Sequence, residues 1–391
     1  MVGRSVSVTL TAMLAPDRLG AVSIAGEIMP AKKAVRVVIL DEDHVMTLVR
    51  RGMAGPGGEN DAAITRFFAP EACDLGQIYA MAHGLSAADG VEVVQAKGDR
   101  TRAAGAEMVL FRRGFVDAAM VAASPGLKLV QRLGSRSEMI DLDALRARGV
   151  PVSCLGRPTL AYTAEHAILL ALALAKRLPD AERALRAGEY DPEVVRSPDN
   201  VAYNWVGLPR AAGLSGRTLG IVGLGEVGVM VARIALGFGM RVIYANRRAL
   251  PAEREAELGV SFRPLDDLMA EADVVSIHAP NTAATKGLVG AAQIARMKSS
   301  AFLINTARGP ILDEDALYAA LTGGRIAGAG LDVHLVEPRP KDDRFCALPN
   351  VILTPHLAGG SRLGLLGEVG AIYDNMRAVL KGGVPQHDRV A

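Results

Sequence analysis

Only three of the 391 residues are cysteine, Cys73, Cys154 and Cys346, far apart and without C-x-x-C spacing. An odd number so placed does not make a disulfide framework, and a reducing cytoplasm is the expected compartment. No metal site is expected. Charge of one sign is also scarce: 44 Lys and Arg stand against 42 Asp and Glu, a formal net of +2. A protein that grips nucleic acid by neutralising phosphates shows a basic excess or stripe, so nucleic acid is excluded as an expected partner. Although 50% of the chain is hydrophobic, no uninterrupted apolar run approaches the roughly 18 residues of a membrane span. Val6 to Ala15, after Arg4, faintly resembles the apolar core of a signal peptide. Ser and Thr interrupt it, Pro16-Asp17-Arg18 follows, and no small-residue cleavage site is evident, so no leader is expected. No internal repeat or low-complexity tract is present. What remains is a chain long enough for a large core and, ordinarily, two domains.

Short apolar runs alternate with helical patterns. Val35 to Leu40, Val91 to Gln95, Met108 to Phe111, Leu127 to Arg132 and Val150 to Cys154 read as buried strands. That alternation predicts a parallel α/β sheet. Between the first two lies Gly52-Met-Ala-Gly-Pro-Gly-Gly58, read as a loop, then a helical segment around Leu75 to Leu85. Leu160 to Leu178 reads as one long helix, apolar nearly all round and therefore buried. The stretch through Asn204-Trp205 to Gly213 has loop chemistry.

The most informative stretch follows: Arg217-Thr-Leu-Gly-Ile-Val-Gly-Leu-Gly-Glu-Val-Gly228 runs an apolar strand into Gly223, Gly225 and Gly228, which open a helix from Val227 to Phe238. This is a dinucleotide-binding fingerprint in its proper setting. The first glycine permits the tight turn, the second lets backbone approach a pyrophosphate, and the third lets helix and strand pack closely. Glu226 and Val227 begin the helix whose unpaired N–H groups meet the diphosphate. A second strand, Met240 to Ala245, ends where NAD enzymes usually carry an acidic residue, but here Asn246-Arg247-Arg248 follows. No carboxylate repels a 2′-phosphate and two guanidiniums stand beside it, which favours NADP(H) over NAD(H). The competing reading has Asn246 on a plain ribose hydroxyl and both arginines as solvated loop.

Three later segments narrow the chemistry: Asn305-Thr-Ala-Arg-Gly309, Leu331-Asp-Val-His-Leu-Val-Glu-Pro338 and Thr354-Pro-His356. With Thr163-Ala-Glu-His166 and Met297-Lys298, the chain from about Gly126 to Gly360 resembles the D-isomer-specific 2-hydroxyacid dehydrogenases. The resemblance implies a catalytic set of Arg308, Glu337 and His356. It implies an α/β fold of two doubly wound parallel-sheet domains: a Rossmann cofactor domain, 158–357, inserted into a flavodoxin-like substrate domain, 1–157 plus 358–391. It also implies a nicotinamide side lined by Pro280, Thr306 and Ala307, and a homodimer built on exposed parts of the Leu160 helix. Asp332 is then expected near the nicotinamide carboxamide or as electrostatic support; alternatively it caps local backbone N–H groups. His166 and His278 match no catalytic position and read as a packed helix residue and a strand-end residue near the cofactor.

The three residue types suit hydride transfer to a 2-keto acid. Negative charge develops on the carbonyl oxygen as hydride reaches carbon, and His356 is the general acid. A Glu337 carboxylate on the imidazole fixes its tautomer and favours its protonated form. The Arg308 fork grips the substrate carboxylate and polarises the keto oxygen. The most expected activity is a glyoxylate/hydroxypyruvate-type reductase. The alternatives are a phosphoglycerate dehydrogenase-like enzyme on a dianionic substrate and a nonenzymatic, NAD(H)-sensing corepressor-like protein. Formate dehydrogenases usually carry Gln in place of Glu337, which counts against them.

One departure from the family bears on substrate. The usual G-x-G-x-D loop here reads Gly134-Ser135-Arg136-Ser137-Glu138. In relatives that loop's backbone N–H groups cradle the substrate carboxylate, so Ser135 and Arg136 are expected at the substrate. Arg136, with Arg112 or Arg113, either meets a second anionic group or points to solvent.

Overall fold

The computed structural model describes residues 34–69, 71–190 and 203–391. The signal-like segment lies outside them. Two parallel sheets are built. The first contains β1 (Val35–Ile39), β2 (Val91–Gln95), β3 (Met108–Phe111), β4 (Leu129–Leu133) and β5 (Val152–Leu155), in the order β2-β1-β3-β4-β5. The second contains β6 (Thr218–Val222), β7 (Arg241–Ala245), β8 (Val260–Phe262), β9 (Val274–Ile277), β10 (Phe302–Asn305), β11 (Gly328–Leu331) and β12 (Val351–Leu353), ordered β12-β11-β10-β9-β6-β7-β8. Their central strands are short apolar runs buried on both faces, as a parallel sheet covered by helices requires. The first order is the flavodoxin-like one and the second is Rossmann-like with an added edge strand. Each has a topological switch point, β1/β3 and β6/β9, where crevices open at the carboxyl ends of the strands.

The C-terminal helix Leu365–Leu380 returns to the first sheet, where Val369, Ile372, Tyr373 and Met376 join the core of Val37, Ile39 and Leu110. Arg157, beyond β5, pairs with Glu368 of that helix at 3.0 Å, both side chains nearly inaccessible. Apolar burial, about 1.5–3 kcal/mol per large side chain, holds this seam more than the ion pair does, since desolvating both charges offsets most of their attraction. Arg157 and Glu368 instead fix geometry where the chain passes between the sheets.

Three expectations are corrected. Gly52 to Ala54 belong to the helix His44–Ala54, and a second helix begins at Gly58, Gly58–Phe68. Gly52 is glycine for packing, because a Cβ there would collide with the Tyr373 hydroxyl, which donates to the Val49 carbonyl at 2.8 Å. The helix after Asp74 stops at Met81, not Leu85. The long helix stops at Lys176; Arg177 takes a left-handed conformation (φ 53°) and starts a separate helix, Leu178–Arg186. Among the described residues no helix is long and apolar enough to cross a membrane.

Candidate active site

The glycine turn follows β6. Gly223 has φ 100°, and a Cβ there would lie 2.6 Å from the Ala279 nitrogen. At Gly228 a Cβ would stand 2.5 Å from the Gly223 carbonyl oxygen, so the helix Glu226–Gly237 could not close on the strand with any larger residue. Gly225 differs: a Cβ there would meet nothing within 4 Å. Its side is open, and as N-cap it offers no side-chain bond to the helix's first N–H groups. A diphosphate would fit that opening against unpaired donors and the positive helix end. Val227 is half-buried beside it. Asn246 has a task not read from sequence: its Oδ1 accepts the Leu224 N–H at 2.8 Å, which holds the turn. Arg247 and Arg248 are exposed, and neither has a hydrogen-bond or ion-pair partner among the described residues. Beyond β10, the Thr306 hydroxyl is buried with no partner. A buried unsatisfied hydroxyl marks a place where a polar group is wanted. The Ala307 N–H is donated to Asn305 Oδ1, and the Pro280 carbonyl, after β9, accepts the Thr285 hydroxyl at 2.5 Å. Open glycine face, uncapped helix and orphaned hydroxyl together fit a nicotinamide dinucleotide.

His356 and Glu337 meet directly, Nδ1 to Oε2 at 2.8 Å. His356 sits at φ 54°, and its N–H is donated to the Asp332 carbonyl at 2.8 Å. The buried Asp332 carboxylate accepts the N–H groups of Leu357 and Ala358, each at 2.9 Å, and the Thr354 hydroxyl at 2.6 Å. Asp332 is thus committed to the backbone that carries His356. His166 is more than packing: its Nε2 lies 3.0 Å from Thr354 Oγ1 and 3.6 Å from Asp332, which extends the network into the helix Leu160–Lys176. Glu337 Oε1 also accepts the His334 N–H at 2.9 Å. Burial raises the Glu337 pKa, yet the hydrogen bonds from His356 and His334 outweigh it and hold the carboxyl below its ordinary value. The stability this pair contributes is therefore present above the ordinary glutamate range and lost as pH falls through the lowered folded value. The melting temperatures of wild type and Glu337→Gln should converge on acidification; a gap that widens toward low pH would contradict this assignment.

Arg308 leaves β10 through Gly309, where a Cβ would strike the His334 carbonyl, so the arginine strand end and the Glu337 loop are pressed together. The Arg308 guanidinium donates to the Ala307 carbonyl at 2.5 Å. Arg308 is exposed at the surface, yet crowding by neighbouring protein atoms, then the positive Arg113 and Arg112, lower its pKa from the usual arginine value, against the pull of Glu337 and Asp43. A guanidinium remains charged nonetheless. Arg112 and Arg113 follow β3, and both backbone N–H groups are donated to Asp41 at 2.7 Å. The Arg112 side chain is spent on Asp43, which burial alone would make a weaker acid but which Arg112 holds below its usual pKa. Arg113 is exposed, with no side-chain partner among the described residues. In the next loop, after β4, Arg136 is exposed and paired with Glu138 at 3.2 Å. Ser135 N–H and hydroxyl are both donated to Glu226, at 2.5 and 2.8 Å, across the two sheets. His278, at the end of β9, contacts the Ser276 hydroxyl at 2.7 Å, and burial brings its pKa down to about 4, so it stays neutral.

Residues 168–358 match the model of the D-isomer specific 2-hydroxyacid dehydrogenase, NAD binding domain. The chain is 39% identical over 272 residues to a glyoxylate reductase of Korarchaeum cryptofilum, covering 69% of this chain and 78% of that one. The chain belongs to the D-isomer-specific 2-hydroxyacid dehydrogenases. It is also 36% identical over 276 residues to a D-3-phosphoglycerate dehydrogenase of Archaeoglobus fulgidus, covering 70% of this chain but only 49% of that longer protein. Among solved structures it resembles an NADPH-dependent glyoxylate/hydroxypyruvate reductase of Sinorhizobium meliloti in complex with NADP and malonate, at 26% identity and TM-score 0.51, covering 91% and 96% of the two chains. As a member of this family, the protein is an NAD(P)-dependent oxidoreductase acting on 2-hydroxy or 2-keto acids. Asp41, Asp43, His166 and Thr354 brace the neighbourhood of the candidate site and, like Asn246, had no such task assigned from sequence. Thr354 and His166 lay within recognised segments; nothing in the spacing pointed to residues near position 42.

Proposed function

We propose that the protein is a glyoxylate/hydroxypyruvate-type reductase that prefers NADP(H), with His356 as proton donor, Glu337 orienting it and Arg308 binding the substrate carboxylate. The observation that carries this reading is the His356–Glu337 hydrogen bond at 2.8 Å. With Nδ1 engaged by the carboxylate, Nε2 is the ring nitrogen left to transfer a proton. The bound dinucleotide supplies hydride to the carbonyl carbon of the 2-keto acid. As charge develops on the oxygen, His356 donates its proton there, while Arg308 orients the carboxylate and stabilises the polarised carbonyl. In the reverse direction neutral His356 takes the hydroxyl proton. Loss of reduced-nicotinamide absorbance with glyoxylate or hydroxypyruvate tests the reading, and silence across a broad keto-acid panel would overturn it. Unpartnered Arg113 supports a second reading, a dianionic substrate resembling a phosphorylated hydroxypyruvate; preference for that acid over hydroxypyruvate, lost in Arg113→Ala, would select it.

The cofactor preference rests on Asn246 and the two unpartnered arginines. Arg247→Ala/Arg248→Ala should raise KM for NADPH by about 10- to 100-fold, the size of one or two lost charged hydrogen bonds. KM for NADH should hardly change. Equal effects on both cofactors would refute a 2′-phosphate role. The helices Leu160–Lys176 and Leu178–Arg186 leave Tyr162, Leu169, Leu178 and Leu185 exposed, an apolar face that supports a two-fold homodimer. Sedimentation at the monomer mass would remove that proposal. The three free thiols accord with a cytoplasmic location, which secretion of the native protein would contradict.

A further inference from the structure

We infer that Glu226 is a resident carboxylate in the seat that the substrate carboxylate takes, held there by Ser135 and displaced when cofactor and substrate bind. The inference rests on the proposed keto-acid reaction for its ligand and on separate geometry for its site. Ser135 follows β4 of the first sheet, and Glu226 is the first helical residue after the glycine turn of the second. One carboxylate oxygen of Glu226 accepts two donors of Ser135, the N–H at 2.5 Å and the hydroxyl at 2.8 Å. Because the acceptor is a carboxylate, both hydrogen bonds are charge-assisted. The structure itself therefore presents a carboxylate bound to this loop.

The loop is braced to hold those donors in place. Gly134 takes φ 132°, and a Cβ there would lie 2.8 Å from Arg132 Nη1. That same Arg132 nitrogen donates to the Arg136 carbonyl at 2.6 Å, closing the turn around Ser135. Arg136 itself turns to Glu138, so it does not fill the seat. The neighbouring strand β3 is followed by Arg112 and Arg113, whose charges bear on Arg308. The Ser135 donors thus lie beside the loop that borders the proposed reaction site.

Glu226 also couples the seat to the cofactor. An acidic residue in the first helical turn ordinarily complements the positive helix end. Here its carboxylate reaches across to Ser135 and leaves the helix end beside Gly225 without a side-chain cap. A diphosphate at that end repels the Glu226 carboxylate and loosens its hold on Ser135. A substrate carboxylate then replaces it on the same two donors. By linkage, each ligand favours the other.

Calorimetric titration with oxamate, a carboxylate analogue of a 2-keto acid that is not reduced, tests this on the full chain alone and with NADPH or NADH. Glu226→Ala and Glu226→Gln, checked for unchanged melting temperature, should bind oxamate about ten-fold tighter than wild type without cofactor, since one charge-assisted competitor is removed or weakened. Cofactor should strengthen oxamate binding in wild type and narrow that gap. With a turned-over keto acid, the variants should show the change mainly in KM. Unchanged or weaker oxamate binding in both variants, or no binding to any form, would overturn the inference. Tighter oxamate binding with a silent keto-acid panel would preserve the seat and discard the reductase reading; turnover with unmoved oxamate affinity would do the reverse.

Discussion

Replacing His356 with asparagine is expected to lower kcat for keto-acid reduction by about 10² to 10⁴, the usual worth of a positioned general acid. The expectation follows from geometry rather than from the residue type alone. His356 holds a left-handed backbone conformation, its N–H is tied to the Asp332 carbonyl, and Nδ1 is occupied by Glu337 at 2.8 Å. The ring is thereby presented with one nitrogen for the reaction. Asparagine keeps a polar side chain and tolerates that backbone conformation better than most residues, so folding and dinucleotide affinity should survive. Cofactor binding measured by fluorescence separates the two effects. A variant that binds cofactor normally yet retains wild-type kcat would remove His356 from the reaction.

Arg308→Ala should lower kcat/KM by about 10² to 10⁴, from the loss of a forked, charged interaction with the substrate carboxylate. Arg308→Lys should recover only part of it, because a point charge cannot reproduce two parallel hydrogen bonds. Arg308 already faces the positive Arg112 and Arg113, which lower its pKa after crowding by neighbouring protein atoms. An anion placed between Arg308 and the unpaired Arg113 would relieve part of that repulsion. If Arg308→Lys matched wild type for every keto acid, simple charge rather than the fork would suffice. If Arg308→Ala did so, the guanidinium would have no part in holding the carboxylate.

Much of this was legible because the chain repeats local rules. Apolar runs bounded by turns mark the strands of the first sheet, and Gly223, Gly225 and Gly228 after β6 mark the dinucleotide turn by their spacing alone. The proposed catalytic trio was named only through family resemblance, since no local rule relates positions 308, 337 and 356. Helix limits failed where tertiary packing decided them. Gly52 reads as loop until the Tyr373 hydroxyl explains why a helix needs it. Arg177 breaks an otherwise continuous pattern with a single left-handed residue. Side-chain destinations were the least legible: Arg136 was weighed for substrate and lies on Glu138, while Asp41 and Asp43, far upstream, arrange the Arg112 loop. Such partners come from the fold's crossovers, which sequence spacing does not encode.

The most direct test of the central claim is the configuration of the product formed from hydroxypyruvate and a reduced nicotinamide cofactor by the purified protein. The account predicts D-glycerate, formed with stoichiometric oxidation of the cofactor and abolished in His356→Asn. Formation of L-glycerate, or no cofactor oxidation with hydroxypyruvate or any other 2-keto acid, would contradict it.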